Sequence, residues 1–373
     1  MESQGPHYIS YFLPHVELQR LINLLTEQGY QVTGPKVRDG AIVYDEITST
    51  KQLPQGYRDE QSPGSYRLEK TSITNFFAWA NGAQALKPVT FSSHEVLWKV
   101  ERDEKGKLSF SEVKPKVVKR AVLGARACDI AALKMQDKVF LHGEYQDQYY
   151  RQRRDALFLI AVNCHFPAAT CFCASTGDGP KASDGYDIVL TELASGFIIQ
   201  AGSDEGQAIV EELGLAEPSD AQYFEAGNLA LEAVQQQRRS IDKAAARTAL
   251  FQQLDNDQWD KIAERCLSCG NCTMVCPTCF CHSENDEANL QGDEVHHTRQ
   301  WDSCFTQGHS YIHGVTIRKQ TSQRYRQWMT HKFSSWYEQF GDSGCVGCGR
   351  CMTWCPAEID VTKELNTISE DKA

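Results

Sequence analysis

Two runs of cysteines with identical spacing lie in the second half of the chain. The first run has the pattern C-x2-C-x2-C-x3-C directly before Pro277 and consists of Cys266, Cys269, Cys272 and Cys276. The second run repeats the pattern directly before Pro356 and consists of Cys345, Cys348, Cys351 and Cys355. Thiols at such short and regular intervals predict a metal centre built on a loop.

This spacing is typical of proteins that bind two [4Fe-4S] cubanes. Three thiolates on one loop wrap three corners of a cubane, and glycines let the backbone approach the sulfides. These glycines are Gly270, Gly344, Gly347 and Gly349. The fourth cysteine opens a helix that carries it to the other cubane, and the proline fixes the turn. We predict one cluster on Cys266, Cys269, Cys272 and Cys355. We predict the other on Cys345, Cys348, Cys351 and Cys276.

Paired zinc sites are the alternative, because C-x2-C also occurs in zinc ribbons. Zinc ribbons use two C-x2-C knuckles per ion, so they leave the third cysteine and the proline of each run unexplained.

The chain start lacks the features of a signal peptide, and no stretch of about eighteen apolar residues predicts a membrane helix. We therefore expect a cytoplasmic protein without membrane contact, in which the fifteen cysteines are ligands or redox groups rather than disulfides.

The fold class predicted is α+β in two domains, because 373 residues exceed what one core usually serves. Residues 1–240 predict an α/β domain, with strands at "KVVKRAVLG" and "ALFLIAVN" and a hairpin across Ala194 and Ser195. A linker at 228–265 predicts one or two helices. Residues 241–373 predict an α-helical ferredoxin domain, with a long helical link between the two cysteine runs. The net charge of −11 argues against a nucleic-acid partner.

Four further cysteines, in the first half, predict a third [4Fe-4S] cluster. Cys128 and Cys164 each follow a predicted strand, where open α/β sheets bind ligands, and Cys171 and Cys173 follow on a loop. A zinc site with the same four ligands, or four buried and inert thiols, are the alternatives.

Several polar features do not belong to these sets. One feature is a basic patch, which we expect to be a solvated face and which consists of Arg318, Lys319, Arg324, Arg326 and Lys332. The alternatives are a docking surface for a partner, or positive charge that stabilises a reduced cluster. His309 and His313, four residues apart, predict a shared helical face. With Cys279 and Cys281 they suit a zinc site, although thiols and histidines that line the clusters are the preferred interpretation. The role of Cys279, Cys281 and Cys304 stays open.

The sequence resembles the β, iron–sulfur subunit of cytosolic NiFe hydrogenases of the sulfhydrogenase type. It is also similar to the A subunit of anaerobic sulfite reductases. The most specific stretches are "CPTCFC", "WDSCF" and the amino-terminal "TCFC", and further matching stretches span nearly the whole chain. Thr176 in "CASTGDGP" departs from the methionine expected at that position.

The resemblance implies a subunit that relays electrons between an NAD(P)H-linked flavoprotein subunit and the small and large subunits of a NiFe hydrogenase. A sirohaem sulfite reductase complex is the alternative partner. The residues themselves show no nucleophile–base constellation and no nucleotide loop, so we expect no catalytic residue and no flavin or nucleotide on this chain. A self-sufficient flavin-binding reductase and a thiol redox sensor are the competing interpretations.

Overall fold

A computed structural model describes residues 8–370 of the chain. The strands are β1 (Ser10–Pro14), β2 (Gln31–Arg38), β3 (Ala41–Glu46), β4 (Tyr57–Ser62), β5 (Ser65–Lys70), β6 (His94–Arg102), β7 (Leu108–Glu112), β8 (Arg120–Ala125), β9 (Leu157–Val162), β10 (Ile188–Glu192), β11 (Gly196–Ala201), β12 (His282–Ala288), β13 (Glu294–Trp301), β14 (Tyr311–Ile312) and β15 (Val315–Thr316). The α-helices are α1 (Leu18–Glu27), α2 (Lys87–Thr90), α3 (Ala127–Phe140), α4 (Gln148–Asp155), α5 (Cys173–Thr176), α6 (Asp204–Glu212), α7 (Asp220–Gln235), α8 (Lys243–Gln252), α9 (Gln258–Arg265), α10 (Asn271–Met274), α11 (Thr321–Thr330), α12 (Trp336–Phe340), α13 (Arg350–Thr353) and α14 (Val361–Glu370). A π-helical turn, His331–Ser335, joins α11 to α12.

The larger sheet follows the strand order β1-β11-β10-β9-β8-β2-β3. Its central strands β2, β8, β9 and β10 run parallel, as the continuous apolar runs in β8 and β9 predicted. Strands β10 and β11 form the predicted hairpin. Helix α1 packs against the sheet through the apolar residues that recur at helical spacing, and these are Leu18, Leu21, Ile22 and Leu25. The predicted mixed α/β architecture of this half is therefore confirmed.

The sheet brings two of the amino-terminal cysteines to one edge. Strands β8 and β9 pair directly and in parallel, so their carboxyl ends lie side by side. Cys128 lies in the first turn of α3, which follows β8, and Cys164 lies two residues beyond β9. The sequence predicted this placement.

The second sheet combines strands from both halves of the chain. Its order is β12-β13-β6-β7, and β13 pairs antiparallel with β6. Charged side chains reinforce this pairing: Arg299 and Arg153 donate to the two carboxylate oxygens of Glu95 at 2.5 Å and 2.6 Å. Residues on both sides of the predicted boundary near residue 240 thus share one sheet. The two-domain division itself stays a prediction.

The link between the two cysteine runs is not wholly helical, so that prediction was wrong. Strands β12 and β13 form a hairpin across an Asn289–Gly292 turn. Strand β12 is mostly exposed and reads HSENDEA, so it has no apolar alternation that would have identified it. The linker at 228–265 also differs from the prediction, because the end of α7 is followed by α8 and α9, which makes three helices in these residues. Among residues 8–370, no helix is long and apolar enough to cross a membrane.

A buried ion pair joins the first half of the chain to the second cysteine run. Arg350, which begins α13, donates to Asp129 in the first turn of α3 at 2.7 Å, and both side chains are almost fully buried. Asn81 donates to the other carboxylate oxygen of Asp129. A buried charge that loses its partner costs far more free energy than an exposed one.

We therefore expect Asp129→Asn to lower the free energy of unfolding by about 3–5 kcal/mol, because it leaves the Arg350 guanidinium buried without a counter-charge. Asp184→Asn is the matched control. It removes an ion pair with Lys134 that is largely exposed, and should cost at most about 1 kcal/mol. Anaerobic denaturant unfolding measures both variants, and equal losses would contradict the role of the buried pair.

Candidate metal centres

The first cysteine run begins at the end of α9 and extends past α10, and three of its cysteines, Cys266, Cys269 and Cys272, line one cavity together with Cys351 and Cys355 of the second run. Cys266 caps α9, Cys272 lies in α10, and Cys355 follows α13. The cavity walls are otherwise largely apolar and include Phe305, Tyr325, Trp328, Ile359 and Val361. Burial raises the pKa of Cys272, and the neighbouring thiols of Cys266 and Cys355 raise it further. The fourth cysteine of the second run thus lies beside the first three cysteines of the first run.

The second cysteine run gathers in the same way around Cys276. Burial raises the pKa of Cys351 well above its usual value, and the nearby thiols of Cys345, Cys348 and Cys276 raise it further. The two groups adjoin each other, because Cys272 also acts on the pKa of Cys351.

Each of the two groups offers four thiols in largely apolar surroundings, which is the donor set of a [4Fe-4S] cluster. The thiols whose pKa values are raised by burial stay protonated until a metal replaces the protons, whereas the hydrogen bond from Cys279 and the Lys332 ammonium hold the pKa of Cys276 well below its usual value. Among residues 8–370, no three His, Cys, Asp or Glu side chains converge closely enough to hold a single metal ion. The thiolates of a cubane stand farther apart than the ligands of one ion, since four irons lie between them. The residues present therefore fit this type of cluster.

Two glycines of the second run also lie against the amino-terminal cysteine loop. A Cβ on Gly347 would lie 2.6 Å from the backbone nitrogen of Cys173, and a Cβ on Gly349 would lie 2.3 Å from the carbonyl oxygen of Thr170. Both have positive φ angles, 63° and 72°. These glycines therefore admit the backbone of the amino-terminal cysteine loop, and the approach of the run to sulfides stays a prediction. The amide of Phe172 donates to the carbonyl of Gly347 at 2.8 Å across this contact.

The four amino-terminal cysteines gather beside the second run. Burial raises the pKa of Cys171, and the thiols of Cys173, Cys164 and Cys348 raise it further. Burial raises the pKa of Cys128 well above its usual value, and Asp129 and the thiols of Cys348 and Cys173 raise it further, so Cys128 belongs to the same group. Cys348 is therefore a neighbour of three of these thiols, Cys128, Cys171 and Cys173, and Cys164 joins the group through Cys171 and Cys173.

Lys332 was assigned to a solvated basic face, and that interpretation was wrong. Its side chain is only 3% exposed because the π-helical turn directs it inward. The ammonium donates to the hydroxyl of Thr278 at 2.7 Å and to the carbonyl of Gly344 at 3.1 Å. Burial would lower its pKa, but the thiols of Cys276 and Cys279 outweigh burial and hold the pKa well above its usual value. Among residues 8–370, no carboxylate forms an ion pair with it.

Arg350 is a second buried cation at the same group. Burial opposes its charge, but Asp129 and the thiols of Cys348 and Cys128 hold its pKa above the usual value. A basic residue inside a cysteine run gives no sequence signal of burial. The long-range partner, Asp129 beside Cys128, could not have been identified from local spacing.

Two of the remaining thiols, Cys281 and Cys304, form a group with His309. Hydrogen bonds from Cys304 and His309 outweigh burial and lower the pKa of Cys281 to about 4. Cys279 instead bonds Cys276, which raises the Cys279 pKa. His309 lies in a short 3₁₀ turn and His313 lies exposed in the β14–β15 turn. The predicted helical face shared by the two histidines is therefore wrong, since no helix contains them.

We expect the Cys281 thiolate to persist at mildly acidic pH. A lowered pKa means that the thiolate is present above about pH 4 and is lost only below that value. In the anaerobic full-length chain, iodoacetamide labelling of Cys281, followed by peptide mass spectrometry, should be nearly constant from pH 8 to pH 5.5. His309→Asn should shift the loss of labelling to higher pH, whereas His313→Asn should not. Labelling of the unmodified protein that falls like that of a free thiol, with a pKa near about 8.5, would contradict this.

Comparison with known proteins agrees with the donor sets. A family model described as a 4Fe-4S dicluster domain matches residues 265–359, and another with the same description matches residues 231–280. Among curated proteins, sulfhydrogenase 2 subunit beta from Pyrococcus furiosus is 29% identical over 333 residues, covering 86% of this chain and 94% of that protein. No solved structure matches the chain. These similarities support an iron–sulfur subunit that transfers electrons. Residues 265–359 thus match a 4Fe-4S dicluster domain and, as its motifs predicted, the chain resembles the β subunit of a sulfhydrogenase over most of its length.

Proposed function

We propose that this chain is a non-catalytic electron-transfer subunit. It relays electrons through [4Fe-4S] clusters between an NAD(P)H-linked flavoprotein subunit and a NiFe hydrogenase module. The observation that carries the proposal is the succession of three adjoining thiol groups, in which Cys348 neighbours the amino-terminal group and Cys351 neighbours Cys272. The similarity to a sulfhydrogenase β subunit supports the hydrogenase complex over the sulfite reductase alternative.

The proposed ligands follow the three groups. The first cluster takes Cys266, Cys269, Cys272 and Cys355. The second takes Cys345, Cys348, Cys351 and Cys276. The third takes Cys128, Cys164, Cys171 and Cys173. The third group has no cysteine run of known spacing and depends on the sheet edge and the loop after Cys164.

The clusters, when bound, supply one-electron chemistry over a range of about −700 to +450 mV that the surroundings tune. The protein supplies position, a dry environment and charge. Phe305, Tyr325 and Trp328 exclude water at the first group. The buried cations Lys332 and Arg350 lie at the second group, where they favour the state with the additional negative charge.

Affinity purification of the full chain from its native cells, followed by mass spectrometry, tests the function. NiFe hydrogenase subunits and a flavoprotein subunit should co-purify. The isolated chain should accept electrons from a strong reductant but should not oxidise NAD(P)H. A sirohaem subunit in the eluate would favour the sulfite reductase alternative. NAD(P)H oxidation by a partner-free chain would contradict a purely relaying role.

Exchange of the fourth cysteine between the two runs is directly testable. We expect Cys355→Ser to perturb the cluster held by Cys266, Cys269 and Cys272, although Cys355 belongs to the other run. Cys304→Ser is the control, because its thiol lies outside the proposed ligand sets. Electron paramagnetic resonance and iron analysis identify the affected cluster. A loss confined to the cluster of Cys345, Cys348 and Cys351 would disprove the assignment.

We also expect Lys332→Met to make the reduction potential of the second cluster more negative. The reduced cluster carries one more negative charge than the oxidised cluster, and the buried ammonium stabilises that charge more strongly than water would. Lys319→Met is the control, because Lys319 is exposed. Redox titration monitored by electron paramagnetic resonance measures both variants. An unchanged potential in Lys332→Met, with iron content retained, would show that the ammonium does not tune this cluster.

A further inference from the structure

We propose that the β14–β15 hairpin and the neighbouring loop of the first cysteine run form a docking face for a redox subunit. The occupant is a protein of the same complex that presents an apolar surface with an acidic rim. This inference rests on the proposed electron-transfer function, and it names the surface through which electrons enter or leave the chain.

The thiols reach the surface at this face. All fifteen cysteines lie within residues 8–370, and Cys269 is the exposed one among them. Leu267, two positions earlier on the same loop, is 68% exposed. Electron transfer between subunits becomes rapid only when the two carriers approach closely. A carrier directly under an exposed loop therefore indicates where electrons pass to or from a partner subunit.

The hairpin beside this loop presents apolar side chains to solvent. More than half of the surface of each of four such side chains is exposed, namely Tyr311, Ile312, Val315 and Ile317. Single exposed apolar residues are ordinary, but a contiguous group on one short hairpin is typical of a protein–protein contact. These side chains are exposed, so they contribute little to the packing of the two short strands themselves.

The hairpin segment and the cysteine loop are both fixed to α11. Arg324 of α11 donates to the carbonyl oxygens of Phe305 at 2.7 Å and Lys319 at 2.8 Å, which fixes the two ends of the hairpin segment. The hydroxyls of Ser268 and Thr321 lie 3.0 Å apart and join the loop to the start of α11. A preorganised surface binds with a smaller entropy cost than a mobile one.

The charge around the face defines the partner. From residue 303 to residue 337 the sequence has no Asp or Glu, although the chain carries a net charge of −11. Lys319 is exposed at the base of the hairpin, and Arg318 precedes it. A second copy of this chain would place the same basic residues against each other in a two-fold contact. An acidic partner surface matches this face, and its charge would also speed association.

The test uses two variants in the intact complex. Ile312→Glu combined with Val315→Glu adds two negative charges to the centre of the face. Lys319→Glu reverses one charge at its edge. Leu290→Glu is the matched control, because Leu290 is fully exposed at the tip of another hairpin, between β12 and β13. All substituted side chains are exposed, so folding should be retained.

We expect both variants to weaken co-purification of the partner subunits about tenfold or more. The loss in the double variant should persist at high salt, because its two carboxylates lose water in the contact, whereas the loss in Lys319→Glu should occur mainly at low salt. Iron content and dithionite reduction of the tagged chain should equal those of the unmodified protein. An intact complex in both variants would overturn the docking face while leaving the relay function untouched. The docking face would also be overturned if Leu290→Glu lost the partner subunits to the same extent, or if the two variants disrupted only a homodimer of this chain. An unmodified chain without iron would instead overturn the proposed function.

Discussion

Burial of many thiol groups within a small volume is the constraint on which this structure depends. Thiolates repel each other and lose hydration when they are buried, so they require cations nearby. The burial-raised pKa values of Cys272 and Cys351 show how unfavourable the metal-free thiolate is at these positions. Iron can supply most of the compensating charge, and the protein adds two fixed cations, Lys332 and Arg350. Neither cation lies at the surface, where water would weaken its effect.

One of these cations, Arg350, also explains why the halves of the chain interlock. Arg350 reaches across to Asp129, and the glycines of its own loop admit the backbone between Thr170 and Cys173. Strand β13 completes the interlock by pairing with β6. A relay needs fixed distances between its carriers, and three separate contacts give the amino-terminal thiols a fixed position beside Cys348. The architecture therefore serves the proposed function through rigidity rather than through any catalytic group.

The sequence predicted those features that local chemistry determines. Cysteine spacing identified the two runs, and apolar runs identified the strands that place Cys128 and Cys164 at one sheet edge. It failed where a residue depends on distant partners. Lys332 is buried because a π-helical turn rotates it inward, and the surrounding WMTHKFSS sequence has no signal for such a turn. The β12–β13 hairpin was missed because its first strand is polar and exposed, so its stability comes from pairing with β13, which in turn pairs with β6.

Metal analysis of the anaerobically purified full chain tests the central claim most directly. Combined iron and zinc determination, with electron paramagnetic resonance of the dithionite-reduced protein, counts the carriers. The account predicts about twelve irons per chain, no zinc, and signals of interacting reduced clusters, because the thiol groups adjoin one another. About eight irons with one zinc would make the amino-terminal site structural and shorten the relay to two clusters. A chain with zinc in both cysteine runs and no iron would contradict the account altogether.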